Sequence, residues 1–216
     1  MTESETGPAA EEPRKRRVGL IILIAVGVLA LLTGGAFVGN NLIYDSTFDR
    51  LIAATETAER SQIWIDFFLM QDCFVTSVME GNAEAALRDG EDLLGRSEQL
   101  AAHVGDSLAG FEGLSVQGFH SRLQAARDAI AAHYRVWAGH LDVVVPLLSS
   151  LQTNLEDFAV TFQLWVDAVV ADGEPIEETF NAAETAFLDA ARGGADLDDV
   201  DALFTPADIT CTRGAV

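Results

Sequence analysis

The chain has 216 residues, enough for one domain of ordinary size with short accessory segments. Its net charge is −21, and the acids and bases of the first 17 residues cancel, so the negative charge lies in the remainder of the chain. Such a surface repels polyanions and argues against nucleic acid as a partner, although solubility alone also accounts for a charge of this size.

An uncharged apolar segment, residues 18–38, follows the N-terminal tail. At 1.5 Å per residue it is roughly 31 Å long, which matches the thickness of a lipid bilayer. Four bases directly precede it: Arg14, Lys15, Arg16 and Arg17. Because basic residues stay cytoplasmic, we predict a signal-anchor helix in the plasma membrane, with the N-terminus inside and the C-terminus outside. A signal peptide cleaved near residues 34–36 is the alternative, but the apolar stretch is longer than usual for one.

Small residues recur at intervals of four near the end of this segment. Ala30 pairs with Gly34 in this spacing, and Gly35 pairs with Gly39. Small residues four apart let two helices approach closely in lipid, so they indicate a homodimer through the transmembrane helix. Gly and Ala are also common in single transmembrane helices, so a monomer is equally consistent with the pattern.

The rest of the chain is interrupted by Gly, Pro and Asn and has no useful run of period-two alternation, which predicts an all-α fold. We therefore expect one N-terminal transmembrane helix, a helical stalk and an antiparallel four- or five-helix bundle. The predicted organisation is a cytoplasmic tail at 1–17, the transmembrane helix at 18–38, the stalk at 39–61, the extracytoplasmic bundle at 62–204 and a C-terminal tail at 205–216.

Turn signals set the predicted helix ends. Gly81 and Asn82 predict the first turn, because Gly tolerates the left-handed conformation after a helix and Asn caps the next one. Four glycines in residues 105–118 predict a flexible connection, and further ends or starts are predicted at Gly139, Pro146, Asp172–Pro175 and Gly193–Gly194. The resulting helices are 83–104, 119–138, 146–170, a fifth from Pro175, and a short one at 197–204.

The two cysteines, Cys73 and Cys211, both fall on the oxidising side of the membrane in this topology. A bridge between them would close a loop of about 139 residues and contribute roughly 5 kcal/mol in the chain-entropy model. We predict this disulfide. A buried free Cys73 and an intermolecular bridge through Cys211 are the alternatives.

Metal or cofactor sites are not predicted. His133 and His140 are seven residues apart, whereas helical metal pairs prefer spacings of three or four. The acidic residues at 196–201 depart from a calcium-binding loop, which needs Gly at its sixth position and Glu at its twelfth. Asp196 is better explained as a helix cap, with the acids that follow favouring the first helical turn.

No catalytic motif is present either: there is no G-x-S-x-G, phosphate loop, HExxH or CxxC. We therefore expect no enzyme. The expected function is that of an interaction or accessory component of the cell envelope, with the lipid bilayer and another envelope or membrane protein as partners. The alternative is a ligand-binding or sensory bundle that works through a partner. Trp64, Trp137 and Trp165 fall on three predicted helices, which indicates core packing or an aromatic ligand pocket between helices.

Overall fold

A computed structural model describes residues 39–192 and 194–204. The predicted cytoplasmic tail, the transmembrane helix with its four preceding bases, and the C-terminal tail lie outside these residues. Of the small residues proposed for helix association, only Gly39 is among those described. No helix in the described ranges combines the length and apolar character needed to cross a membrane. The anchor, its orientation and the homodimer therefore stay predictions.

The described residues are helical, which confirms the all-α prediction and the helical-bundle packing. Helix α1 covers residues 39–59. The later helices are α2 (Gln62–Met79), α3 (Ala83–Gly113), α4 (Ser121–Thr153), α5 (Phe158–Ala190) and α6 (Gly194–Leu203), with a 3-10 turn at Leu155–Asp157 between α4 and α5.

The chain divides into two compact units, and the second begins at Thr47. Residues 47–61, which the sequence pattern assigned to a stalk, thus belong to the same unit as the bundle. One face of α1 is buried in this stretch. Its buried residues are Thr47, Phe48, Leu51, Thr55 and Ala58.

Consecutive helices pack on one another within the second unit: α2 on α3, α3 on α4, and α4 on α5. Because their connections are short, neighbouring helices run antiparallel. The shorter α6 packs on α5, where Phe204 contacts Phe180 and Phe187 at ring-centroid distances of 5.1 and 5.5 Å. The core consists of fully buried side chains that recur at helical spacing, such as Leu93, Leu100, Leu123, Ile130, Leu141 and Leu148.

The predicted turn between α2 and α3 is confirmed. Gly81 has a φ of 70°, in the left-handed region that favours glycine. The Asn82 side chain accepts a hydrogen bond from the backbone N–H of Ala85 at 3.1 Å. Both residues therefore have the roles that their chemistry predicts at a helix end and a helix start.

Three predicted interruptions are wrong, and the helices are longer than expected. Helix α3 continues through the first glycines of residues 105–118, α4 contains Gly139 and Pro146, and α5 contains Gly173 and Pro175. A helical glycine costs roughly 1 kcal/mol relative to alanine, and an internal proline about 3 kcal/mol. Burial on either side outweighs these costs, as at Val104 and Phe111, which flank two of the glycines and are 0% and 1% exposed.

The chain instead turns at residues 154–157, where no break was predicted. Asn154 ends α4, and its Nδ2 donates to the Asp157 carboxylate at 2.8 Å. Phe119, the first residue of the helix predicted at 119–138, lies before α4 and is 67% exposed. The residues that follow it at helical spacing are buried: Leu123, Ala126, Ile130, His133 and Trp137.

Candidate ligand-binding site

A cavity of about 660 Å³ lies where the end of α1 and the start of α2 meet α4, α5 and α6. Its volume falls within the range of small-molecule sites, which are mostly apolar with a few placed polar groups. Every helix of the second unit except α3 contributes lining residues. The cavity thus depends on the tertiary packing of the unit.

Aromatic side chains form one wall of the cavity. The Trp64 and Trp137 rings meet edge to face at 4.7 Å. Phe68 lies 6.0 Å from each of them. Phe180 of α5 and Leu203 of α6 add further apolar lining. Both tryptophans are buried, which confirms core packing, and both line the cavity, while the ligand pocket stays a prediction.

A shared backbone acceptor fixes the position of Trp64. Its Nε1–H donates to the Ala58 carbonyl at 2.8 Å, and His103 Nε2 contacts the same oxygen at 2.8 Å. Because a carbonyl only accepts, His103 carries a proton on Nε2. These bonds tie the last turn of α1 to α2 and α3, and they hold the indole ring in the cavity wall before any ligand arrives.

Glu59, the last residue of α1, is the acidic group set deepest in the cavity wall. Its Oε1 is shielded from solvent and has no hydrogen bond of standard geometry among the described residues. Burial raises the pKa of Glu59 to about 7, against a smaller lowering by the Tyr134 hydroxyl. A buried carboxyl with an unused acceptor is costly and calls for a polar or charged partner.

Tyr134 lies behind Glu59, fully buried on α4. Burial, and next the adjacent Glu59 charge, raise the pKa of its phenol, so this hydroxyl remains protonated. The two groups interact, yet the Tyr134 oxygen also lacks a hydrogen bond of standard geometry within the described chain. The pair is therefore incompletely satisfied, and a change at the cavity can alter it.

His133 contributes a neutral imidazole to the lining. Its Nδ1 lies 3.1 Å from Thr179 Oγ1, whose hydroxyl donates to the Pro175 carbonyl at 2.8 Å. Because that hydroxyl hydrogen is used on the Pro175 carbonyl, the His133 Nδ1–H donates to Thr179 Oγ1, and the Ile176 carbonyl also accepts a hydrogen bond from the imidazole. Burial lowers the pKa of His133 to about 4, which keeps the ring uncharged near neutrality.

The remaining charges at the cavity are Arg60 and Glu177. Arg60 already has partners: its Nη1 lies 2.7 Å from Glu56 Oε1, and its Nη2 donates to the Ala202 carbonyl at 3.2 Å. Glu177 is exposed on α5. The lining therefore holds two carboxyl groups and one guanidinium group, and the guanidinium is bonded to Glu56 and to the Ala202 carbonyl.

The structure separates most residues that the sequence analysis singled out. His140 is buried beside Asp172, 2.9 Å from its carboxylate, while His133 binds Thr179. Trp165 packs with Phe74, away from the cavity. No group of three or more metal-ligating side chains occurs in the residues described.

The prediction that Asp196 caps the last helix is wrong: it lies in the first turn of α6, where its carboxylate accepts a hydrogen bond from the Arg192 backbone N–H at 2.7 Å. Cys73 lies in α2, whereas its predicted partner Cys211 is not described, so the disulfide stays a prediction.

Glu59 was not among the residues singled out from the sequence, although its position in the helix indicates that it is buried. It lies four residues after Thr55 and eight after Leu51, so it shares the inward face of α1. A carboxylate on that face is unusual, because charged residues are seldom buried without a partner. Because residues 39–61 were predicted to form a stalk, Glu59 was not expected to be buried.

Comparison with known proteins gives no match: no family model fits the chain, and no curated protein or solved structure is significantly similar to it. The cavity and its side chains are therefore the observations from which a function can be proposed.

Proposed function

We propose that this protein is a ligand-binding helical bundle, which a transmembrane helix at residues 18–38 holds outside the plasma membrane. The observation that carries the proposal is the cavity, with a prearranged aromatic wall and a buried, unsatisfied carboxyl group. Concave apolar sites with few polar groups are typical of small-molecule binding. With one anchor, the module would pass a signal on only through a partner protein.

Binding without chemistry is favoured over catalysis. Glu59 and His133 both line the cavity and have shifted pKa values, as catalytic groups often do. A nucleophile paired with a base is the further requirement of covalent catalysis. Ser61 lines the cavity, but its Oγ accepts from the Ile63 backbone N–H and serves as the cap of α2.

The test uses the full chain in lipid nanodiscs with 5-fluorotryptophan at its three tryptophans. Trp64 and Trp137 line the cavity, while Trp165 does not, so the fluorine spectrum contains its own control. We expect the neutral aromatic probe indole to shift the Trp64 and Trp137 resonances in a saturable way and to leave Trp165 in place. Shifts of all three, or of none, would overturn the proposal.

A matched pair of glycine variants sharpens this test. A side chain at Gly173 would enter open space in the cavity wall, and one at Gly105 would enter open space elsewhere on α3. Both are exposed positions inside helices. We expect Gly173→Leu to abolish the indole shifts and Gly105→Leu to preserve them. Equal responses would mean that indole binds elsewhere.

An interaction or accessory role is the second candidate, favoured by exposed apolar side chains on α5. Val160 is 64% exposed, and Leu164, one turn later on the same face, is 52% exposed. A photo-crosslinking amino acid at Leu164 in intact cells should capture one membrane protein in stoichiometric amount. The same residue at exposed Asp128 on α4 is the control, and equal capture at both positions would reject this role.

A further inference from the structure

We infer that the cavity selects organic cations: an ammonium group, alkylated or quaternary, on a small apolar body. This inference rests on the proposed ligand-binding function and specifies its ligand class. Three features support it independently, namely the aromatic wall, the sign of the charges in the lining and the unsatisfied carboxyl group.

The aromatic wall suits a cation because the faces of Trp, Tyr and Phe carry negative potential. Trp64, Phe68 and Trp137 form a mutually packed group, and Phe180 is part of the same lining. Trp64 uses its N–H on the Ala58 carbonyl, so the indole has no hydrogen-bond donor left to offer a ligand. The wall therefore favours alkyl groups and positive charge over anionic acceptors.

The charges of the lining residues also favour a cationic ligand. Glu59 and Glu177 are acidic, and the cationic Arg60 is already paired with Glu56 and the Ala202 carbonyl. The chain as a whole has a net charge of −21, which attracts cations and repels anions over about a Debye length. An anionic ligand would have to enter against both the local and the overall charge.

Glu59 supplies the third feature, because its shielded Oε1 has no hydrogen bond of standard geometry in the described chain. A ligand ammonium within reach would favour the ionised carboxylate and offset its desolvation. The Tyr134 hydroxyl of α4 faces Glu59 directly. The other titratable or charged groups around the cavity are Arg60, His133 and Glu177. His103 of α3 binds the Ala58 carbonyl, next to Glu59 in the chain. Burial raises the pKa of Glu59 to about 7. Cation binding should therefore strengthen as pH rises through 7.

The experiment compares three probes of nearly the same shape on the fluorotryptophan-labelled full chain: choline, its neutral isostere 3,3-dimethylbutanol, and the anion 3,3-dimethylbutanoate. At pH 8 we expect choline to bind about tenfold more tightly than the neutral isostere, judged by Trp64 and Trp137, and the anion not to bind. Lowering the pH to 5.5 should remove most of the choline preference, because Glu59 becomes protonated.

Glu59→Gln tests the assigned counter-ion. We expect the variant to bind choline and the neutral isostere within about threefold of each other, at both pH values. An unchanged Trp165 resonance shows that the variant is folded, and if it is not, the wild-type pH dependence carries the test alone. Equal binding of choline and the isostere by the wild-type protein would overturn the cation inference and leave ligand binding intact. Failure of these probes and of indole would overturn both.

Discussion

Aromatic side chains pack at both ends of the bundle, but the large cavity lies at one of them. At one end, here called the closed end, Phe74 of α2 packs against Phe162 and Trp165 of α5 at 5.7 and 5.5 Å. The cavity at the nearby α2–α3 turn, of about 360 Å³, is lined by Phe158 and not by these three rings. At the other end, Trp64 of α2 packs against Trp137 of α4, and a cavity remains beside α5. Aromatic content alone therefore does not decide whether a cavity is left between helices.

Both ends bury polar groups, and at the Phe74 end the Ser77 hydroxyl donates to the Asp89 carboxylate. The cavity end holds a carboxyl group, an imidazole and a phenol whose pKa values are displaced by burial. Desolvating such groups costs stability, whereas burying aromatic rings contributes it. We therefore expect the closed end to contribute more to stability than the cavity end, where buried titratable groups offset part of the gain from packing.

The largest expected difference lies between two phenylalanines of α2. Phe74→Ala at the closed end should lower the free energy of unfolding by about 3–5 kcal/mol, because the ring is fully buried between α2 and α5. Phe68→Ala should lower it by about 1–2 kcal/mol, because that ring is 37% exposed. Urea unfolding of the full chain, followed by circular dichroism, measures both. Equal losses would contradict the distinction between the two ends.

Part of the fold could be predicted from the sequence. The turn at Gly81–Asn82 was predicted correctly, because its residues act locally, through the backbone φ of Gly81 and the side-chain cap of Asn82. The continuation of helices through Gly139, Pro146 and Gly173 was not, because burial by distant residues outweighs local propensity. The cavity could not be predicted from the sequence, for a related reason. It joins Glu59 to residues more than 70 positions away, and no local pattern specifies such a pairing.

Glu59→Gln gives the next largest effect. The pKa of Glu59 rises from its ordinary value of 4.5 to about 7 on folding, so the native state binds the proton more tightly than the unfolded chain. This contribution to stability is present below pH 4.5 and is lost as pH rises through 7. At pH 8 the variant should be more stable than the wild type by on the order of 2 kcal/mol, and the gain should vanish near pH 4.

His133 has the opposite dependence, which the same measurement must separate. Its pKa falls from 6.5 to about 4 on folding, so both proteins lose stability as pH falls from 6.5 towards 4. The difference between the unfolding free energies of Glu59→Gln and the wild type cancels this shared term. A difference that does not change between pH 4 and 8 would place Glu59 in water rather than in a desolvated wall.

The smallest expected effects come from two helical glycines, one at each end. A methyl group at Gly90 would meet the Phe74 ring at 3.1 Å and the Gln152 side chain, whereas one at Gly173 would meet no atom within 4 Å. Alanine favours a helix over glycine by roughly 1 kcal/mol, so Gly173→Ala should raise the free energy of unfolding by up to that amount.

At Gly90 the Phe74 ring cannot retreat, because Phe162 and Trp165 lie close to it. Overpacking should therefore outweigh propensity, and Gly90→Ala should lower the free energy by about 1 kcal/mol. Stabilisation by both substitutions in the same urea experiment would mean that the closed end has room to adjust, and that the two ends differ in polarity but not in packing.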